Sequence, residues 1–189
     1  MSSFTYFSPT LVSGMGYSSI QAQLMTVPPW AVGYVVCLLL SWSADRFNAR
    51  GLHIFVAASL TGVGFLVSSI LPTDANVQRY GCLILASCGA FPSAAPLTAW
   101  VTCNVPSSKT VGLAVAANNS MVGLASLVAL WVWRPEEEER GYPTGNIICA
   151  VSGFATALLS LGMWVYYRRM NRRIRSGAAG AADVRVWAL

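Results

Sequence analysis

The feature that most constrains this chain is a long apolar run that ends abruptly in charge. Residues 20–44 contain no Asp, Glu, Lys, Arg or His, and the run stops at Asp45. About 25 residues with a rise of 1.5 Å each form a helix longer than the roughly 30 Å hydrocarbon core of a bilayer. Because unpaired backbone groups are costly in hydrocarbon, such a segment must be helical. The run therefore predicts a membrane-spanning helix.

Four more apolar stretches follow the first one. Of the 189 residues, 55% are hydrophobic and only 10% are charged, a balance that an ordinary soluble domain does not need. We predict an all-α integral membrane fold with about five full transmembrane helices and a partial leading element. The predicted parts are a lead-in (1–17), a helical bundle (18–168) with spans at about 19–44, 53–71, 77–105, 109–133 and 146–167, and a basic tail (169–189).

A double proline interrupts the first predicted span. Ser18 and Gln21 fit the capping box that starts a helix, which places Pro28 and Pro29 inside that helix. Proline lacks a backbone N–H, and its ring clashes with the preceding turn. We therefore expect a kink near Trp30.

Five residues of the third and fourth spans are candidates to line a cavity. Pro92 and Pro96 lie on one helix face, where they either bend the helix to fit the bundle or free carbonyls toward a transport path. Asn118 and Asn119 lie in mid-span, where they either hydrogen-bond between helices or face a wet cavity. Trp100 either anchors its span at the membrane interface or covers a solute.

The sequence pattern does not support catalysis, metal binding or nucleic-acid binding. His53 is the only histidine, and no carboxylate lies within a span to act as a general acid or base. The five cysteines lack metal-ligand spacing. The net charge is +5, but most basic residues lie beside apolar runs rather than over a polar face. We expect no enzyme, no metal or other cofactor and no nucleic-acid partner.

The charges between the spans predict an orientation. With five spans, the side that includes residues 45–51 and the tail carries nine basic and two acidic residues, whereas the other side carries three basic and five acidic ones. Lys and Arg accumulate on the cytoplasmic side of membrane proteins. We therefore expect a cytoplasmic tail whose arginines contact anionic lipid.

The turn after the first span carries an acidic residue that the positive-inside pattern does not explain. It has the pattern D-R-x-x-x-R-G, formed by Asp45, Arg46, Arg50 and Gly51. A positive-inside loop needs only the arginines, whereas Asp45 lies at a helix C-terminus, where the helix dipole disfavours an anion. Asp45 can form an ion pair with Arg50 or with a basic group on a neighbouring helix. If exposed, such a pair is worth roughly 0.2–1 kcal/mol, which is enough to bias a two-state equilibrium.

Several stretches carry a family resemblance. The run LMTVPPWAVGYVVCLLLSWSADRFNARG resembles the eighth helix and following cytoplasmic loop of fungal major facilitator superfamily (MFS) transporters, in the allantoate- and nicotinate-permease branch of anion:cation symporters. VQRYGCLILASCGAFPSAAPLTAWVTCNV is similar to that branch's tenth helix, and KTVGLAVAANN and the Arg-rich closing helix continue the similarity. FSPTLVSGMGYSS resembles the segment entering helix eight. The chain therefore resembles the C-terminal half only.

This resemblance implies a function and a set of partners. It implies proton-coupled symport of a small organic anion or vitamin-like solute by alternating access between two halves. It also places the D-R-x-x-x-R-G turn on the family's conformational-switch loop. The implied partners are membrane lipid, the solute, protons, and a missing N-terminal half or a second copy, in the plasma membrane. The alternative is a non-transporting membrane fragment that only assembles with another half or is inactive.

Overall fold

A computed structural model describes residues 19–105, 107–176 and 187–188 of the chain. Within these residues the chain forms α-helices, one short 3₁₀ helix (Pro135–Arg140) and no strand. The predicted lead-in, residues 1–17, lies outside the described residues. The helices are α1 (Ser19–Met25), α2 (Val27–Phe47), α3 (Arg50–Ile70), α4 (Asn76–Ala90), α5 (Ala94–Asn104), α6 (Ser108–Val132) and α7 (Pro143–Arg175).

Among the described residues, five helical segments are long and apolar enough to cross a membrane. The all-α membrane fold predicted from the sequence is thereby confirmed. The last helix is longer than its predicted span, because α7 continues through the basic run, where arginine is a good helix former and basic side chains favour a helix C-terminus. The segments are Val27–Phe47, Arg50–Ile70, Asn76–Asn104, Lys109–Ala129 and Pro143–Arg175.

The sequence predicted one continuous helix with a kink near Trp30. In the structure the double proline instead divides the first span into two helices. Helix α1 ends at Met25, and Pro28 and Pro29 lie in the first turn of α2. Proline is tolerated there because N–H groups of a first turn have no helical partner, whereas in a helix interior its ring clashes with the carbonyl four residues earlier. The break therefore lies at Thr26.

Side chains near α4 close this break. Because Pro29 has no N–H, it cannot bond the carbonyl of Met25, and that oxygen accepts a hydrogen bond from the hydroxyl of Tyr80 at 2.8 Å. Trp30 packs on Phe91, with 4.8 Å between the ring centroids. The hydrogen bond and the ring contact thus join the first span to the third.

The third span is broken as well, at residues 91–93 between α4 and α5. Pro92 lies in this turn, and Pro96 lies in the first turn of α5, where its missing N–H interrupts no helical bond. Both prolines are buried. Since Phe91 also contacts Trp30, the breaks of the two spans lie side by side.

Helix α3 is central, because it packs against α4 on one side and α7 on the other. Both contacts depend on glycine. A Cβ atom on Gly89 of α4 would collide with the carbonyl oxygen of Ala57, and one on Gly153 of α7 would lie 2.9 Å from the backbone nitrogen of Gly62. Small residues let membrane helices approach closely, which matters because lipid provides no hydrophobic force between them.

The connections between spans define two ends of the bundle. We call the end that carries residues 45–51 and 168–176 the basic end. We call the end that carries residues 71–75 and 134–142 the opposite end. The alternation of the five spans across the membrane puts the two sets of residues on different sides.

At the opposite end, hydrogen bonds hold the start of α7. Arg79, which is only 8% exposed, donates from Nη2 to the carbonyl oxygen of Gly141 at 2.6 Å, and Asn146 Nδ2 donates to the same oxygen at 3.1 Å. The carboxylate of Glu137 accepts from the backbone N–H of Thr144 at 3.1 Å and from its hydroxyl at 2.6 Å. One member of the acidic run thus caps a helix N-terminus.

We expect the variant Gly153→Val to destabilise the bundle by about 1–3 kcal/mol, since its side chain would push α7 away from α3. Gly162→Val is the matched control, because it lies on the same helix and a Cβ there meets nothing within 4 Å. The measurement is the thermal unfolding midpoint in detergent. Equal shifts for the two variants would contradict the close contact.

We also expect Tyr80→Phe to lower the stability by on the order of 1 kcal/mol, because the carbonyl of Met25 loses its donor in an apolar environment. Tyr166→Phe is the control, as its side chain is exposed on α7 and its hydroxyl donates no bond among the described residues. Both variants can be compared by their unfolding midpoints. A Tyr80→Phe variant as stable as Tyr166→Phe would refute the role assigned to this bond.

Candidate functional site

A cavity of about 480 Å³ lies between α3, the α4–α5 break, α6 and α7. This volume falls in the range of small-molecule pockets. No charged side chain belongs to the part of its lining that the structure describes. The lining residues are Ala58, Thr61, Phe65, Ala90, Ser93, Ala125, Val128, Ala129, Val132, Ile148, Cys149, Ser152, Gly153 and Thr156.

Most of the polar groups in this lining are already hydrogen-bonded within their own helices. Four hydroxyl groups donate to preceding backbone carbonyls at 2.8–3.2 Å. Since these donors are occupied, the walls offer a largely apolar surface with hydroxyl lone pairs. The cavity therefore suits the apolar part of a small molecule and supplies no positive charge for an anion. The four hydroxyl groups belong to Thr61, Ser93, Ser152 and Thr156.

The predicted cavity residues of the third span lie beside this cavity rather than in its lining. Pro92 is fully buried between the lining residues Ala90 and Ser93. Pro96 is buried one turn farther along. Trp100 is 6% exposed and lies near the basic end, where its ring meets Tyr167 edge-on at 5.8 Å.

Asn118 and Asn119 lie on α6, where Ala129 is the one buried residue among those whose burial the structure describes. Asn118 is half-buried and Asn119 is exposed, and neither side chain makes a hydrogen bond within the part of the chain that the structure describes. The cavity residues Ala125 and Ala129 follow Asn118 by seven and eleven positions, so they share its helix face. Asn118 thus lies in line with the cavity wall, while Asn119 is turned about 100° away.

At the basic end, one guanidinium group joins three helices. Arg50, the first residue of α3, donates from Nε and Nη2 to Oδ1 of Asp45 near the end of α2, at 3.0 and 2.8 Å. Its Nη1 donates to the sulfur of Cys103 near the end of α5, at 3.3 Å. The Asp45 side chain is 66% exposed, so the ion pair is worth less than about 1 kcal/mol. Its importance is therefore its position between the helices.

The other two residues of the predicted switch loop differ in their surroundings. Arg46 is exposed in the last turn of α2 and has no ion-pair partner among the described residues. Gly51 lies under two indole rings: a Cβ there would be 2.8 Å from Trp100 and 2.9 Å from Trp164. The turn between α2 and α3 contains Asn48, which caps the end of α2 in the left-handed conformation (φ 47°). The structure thus brings Asp45, Arg50 and Gly51 to one interhelical contact.

Sequence reasoning missed two partners of this turn. No sequence pattern indicates the contact of Cys103 with Arg50, which is 53 positions away. His53 bonds the carbonyl of Ala49 through Nδ1 at 2.8 Å and meets the hydroxyl of Ser43 through Nε2 at 2.9 Å. A carbonyl only accepts, so Nδ1 carries a proton. The histidine thereby fastens α2 to the start of α3.

Comparison with known proteins identifies relatives of the whole chain. It is 43% identical over 187 residues to the MFS transporter prlL of Fungal sp. (strain NRRL 50135), covering 98% of this chain and 38% of that protein. It is 31% identical to the MFS-type transporter efuF of Hormonema carpetanum, covering 88% of this chain and 34% of that protein. It is 29% identical to the major facilitator-type transporter hxnP of Emericella nidulans, covering 96% of this chain and 38% of that protein.

The similarity covers only part of each relative. The chain spans 34–38% of the length of these three relatives. No family model matches the chain, and no solved structure matches it. The five membrane-length helices and the similarity to transporters nevertheless agree. The chain is therefore a multi-pass integral membrane protein that is homologous, along nearly all of its length, to part of the transporters of the major facilitator superfamily.

Proposed function

We propose that this chain forms the C-terminal half of a membrane transporter that moves a small solute by alternating access. The observation that carries this proposal is the 43% identity to an MFS transporter over 98% of the chain. All three relatives described above are named as transporters. These names do not favour the alternative that the chain is a non-transporting membrane fragment. The broken spans and the cavity beside them supply irregular backbone and space, which are typical of transport paths.

The exposed faces of the bundle support a partner half. Few residues of α2 and α6 are buried: Pro29, Gly33 and Ala44 in α2 and, among the described residues of α6, Ala129. Large side chains are exposed on these helices, including Trp42 at 69% and Trp131 at 84%. Lipid covers part of such a surface, and we assign the rest to a second half or a second copy that completes the transport path.

The proposed solute and driving ion follow from the resemblance of the first and third spans to the allantoate- and nicotinate-permease branch. On this proposal the solute is a small organic anion or a vitamin-like molecule, and protons drive its uptake. Because the lining of the cavity carries no charged side chain, the anionic group is bound by the partner half. The basic end faces the cytoplasm by the positive-inside rule, and the protein acts in the plasma membrane.

Asp45, Arg46, Arg50 and Gly51 act in this proposal as the conformational switch. Arg50 links the α2–α3 turn to the end of α5 through Asp45 and Cys103. A change in the relative position of these helices breaks this link. Since the ion pair is exposed and weak, it can form and break in each transport cycle without trapping one state.

Transport can be tested by uptake of radiolabelled nicotinate and allantoate into cells with low background uptake. The chain is expressed alone and together with the portion of the 43% identical relative to which it does not align. We expect uptake from the pair that rises with an inward proton gradient and falls when a protonophore is added. If neither arrangement exceeds the empty vector although both chains are inserted, the proposed solutes are wrong.

The switch can be tested in the same assay, under conditions in which conformational exchange limits flux. We expect Asp45→Asn to slow uptake about twofold to fivefold, because it removes the anion that positions Arg50, while insertion stays normal. Asp74→Asn is the matched control: that carboxylate is exposed at the opposite end and makes no side-chain bond among the described residues. Normal uptake by Asp45→Asn would argue against a switch.

A further inference from the structure

Two asparagines at the basic end hold the backbone of a distant pair of residues. Asn171 of α7 accepts the N–H of Trp187 on Oδ1 at 2.9 Å and donates from Nδ2 to the carbonyl of the same residue at 2.8 Å. Asn104, the last residue of α5, accepts the N–H of Ala188 at 2.9 Å and donates to its carbonyl at 3.3 Å. Each side-chain amide therefore satisfies both polar groups of one residue, as a neighbouring strand does in a β-sheet.

Aromatic side chains complete this contact. The ring of Trp187 stacks on Tyr167 with 5.2 Å between centroids and 9° between planes. Trp100 donates from Nε1 to the carbonyl of Ala188 at 2.8 Å and meets Tyr167 edge-on. We call the group formed by Trp100, Asn104, Tyr167 and Asn171 the tail cleft.

The paired hydrogen bonds of the cleft residues favour a built site over a chance contact. With Trp187 and Ala188 in place, Asn171 and Trp100 are each 6% exposed. Asn171 lies within a run of arginines, yet it shares a helix face with Tyr167 and Trp164, which is the face that packs on the bundle. A buried amide without partners is costly, so an empty cleft would leave Asn171 unsatisfied among the described residues.

We infer that residues Trp187 and Ala188 form a tail latch that binds in the tail cleft and ties α5 to α7. The occupant is a short peptide segment, bound through its backbone by two side-chain amides and through one indole ring. The latch fastens the end of α5, which is also held by Arg50 through the neighbouring Cys103. It therefore holds α5 and α7 together next to the proposed switch. The inference concerns binding within the chain and does not rest on transport.

Hydrogen–deuterium exchange of the purified full chain tests this inference. The probe is the deuterium uptake of peptic peptides that contain residues 183–189. We expect the amides of Trp187 and Ala188 to exchange roughly tenfold or more slowly than in a synthetic peptide of sequence AADVRVWAL, because both are donors to the asparagines. In the Asn104→Ala, Asn171→Ala double variant, we expect both amides to exchange as fast as in the peptide.

Two further variants control for unfolding. Asn119→Ala changes an exposed asparagine on α6 and should keep the tail amides protected. Trp187→Ala leaves every helix intact but removes the ring stack, so the amide of Ala188 should lose protection while exchange of the helices is unchanged. Exchange at the free-peptide rate in the unaltered chain would overturn the latch. So would undiminished protection in the double variant with a folded bundle.

Discussion

The requirement that every backbone polar group in hydrocarbon finds a partner governs this structure. Helices satisfy it automatically, which is why the long apolar runs are helical. The prolines create the exceptions, because each removes a donor from a helix. The chain places those exceptions side by side: the carbonyl of Met25 takes its bond from Tyr80, and Trp30 packs on Phe91 at the second break. The irregular backbone thus finds partners within the protein.

Close packing around α3 follows from the same environment. Lipid tails are as apolar as leucine, so the helices gain stability from contact rather than from leaving water. Gly89 and Gly153 give α3 two neighbours at short range. Helix α6 has no such contact and covers the cavity from one side. The bundle therefore combines a rigid set of α3, α4 and α7 with one helix that is held more weakly.

The sequence was sufficient for features that depend on local composition. Run length and apolarity predicted the five spans. The charged turn predicted that Asp45 pairs either with Arg50 or with a basic group on a neighbouring helix, and the structure contains the pair with Arg50. The position of the first break was predicted wrongly, because the capping pattern before Pro28 favoured one continuous helix over a helix that ends ahead of it. Contacts between distant residues, such as Asn104 with Ala188, leave no periodic signal and emerge only in three dimensions.

The weak attachment of α6 has a consequence for how such a protein diversifies. Ala125 and Val128 line the cavity from this helix, yet both are exposed and contribute little to the packing of the bundle. Substitutions there reshape one wall at little cost in stability, whereas changes at Gly89 or Gly153 disturb the whole fold. A lineage with this architecture can therefore acquire new solute preferences by mutation of one helix while its scaffold stays fixed.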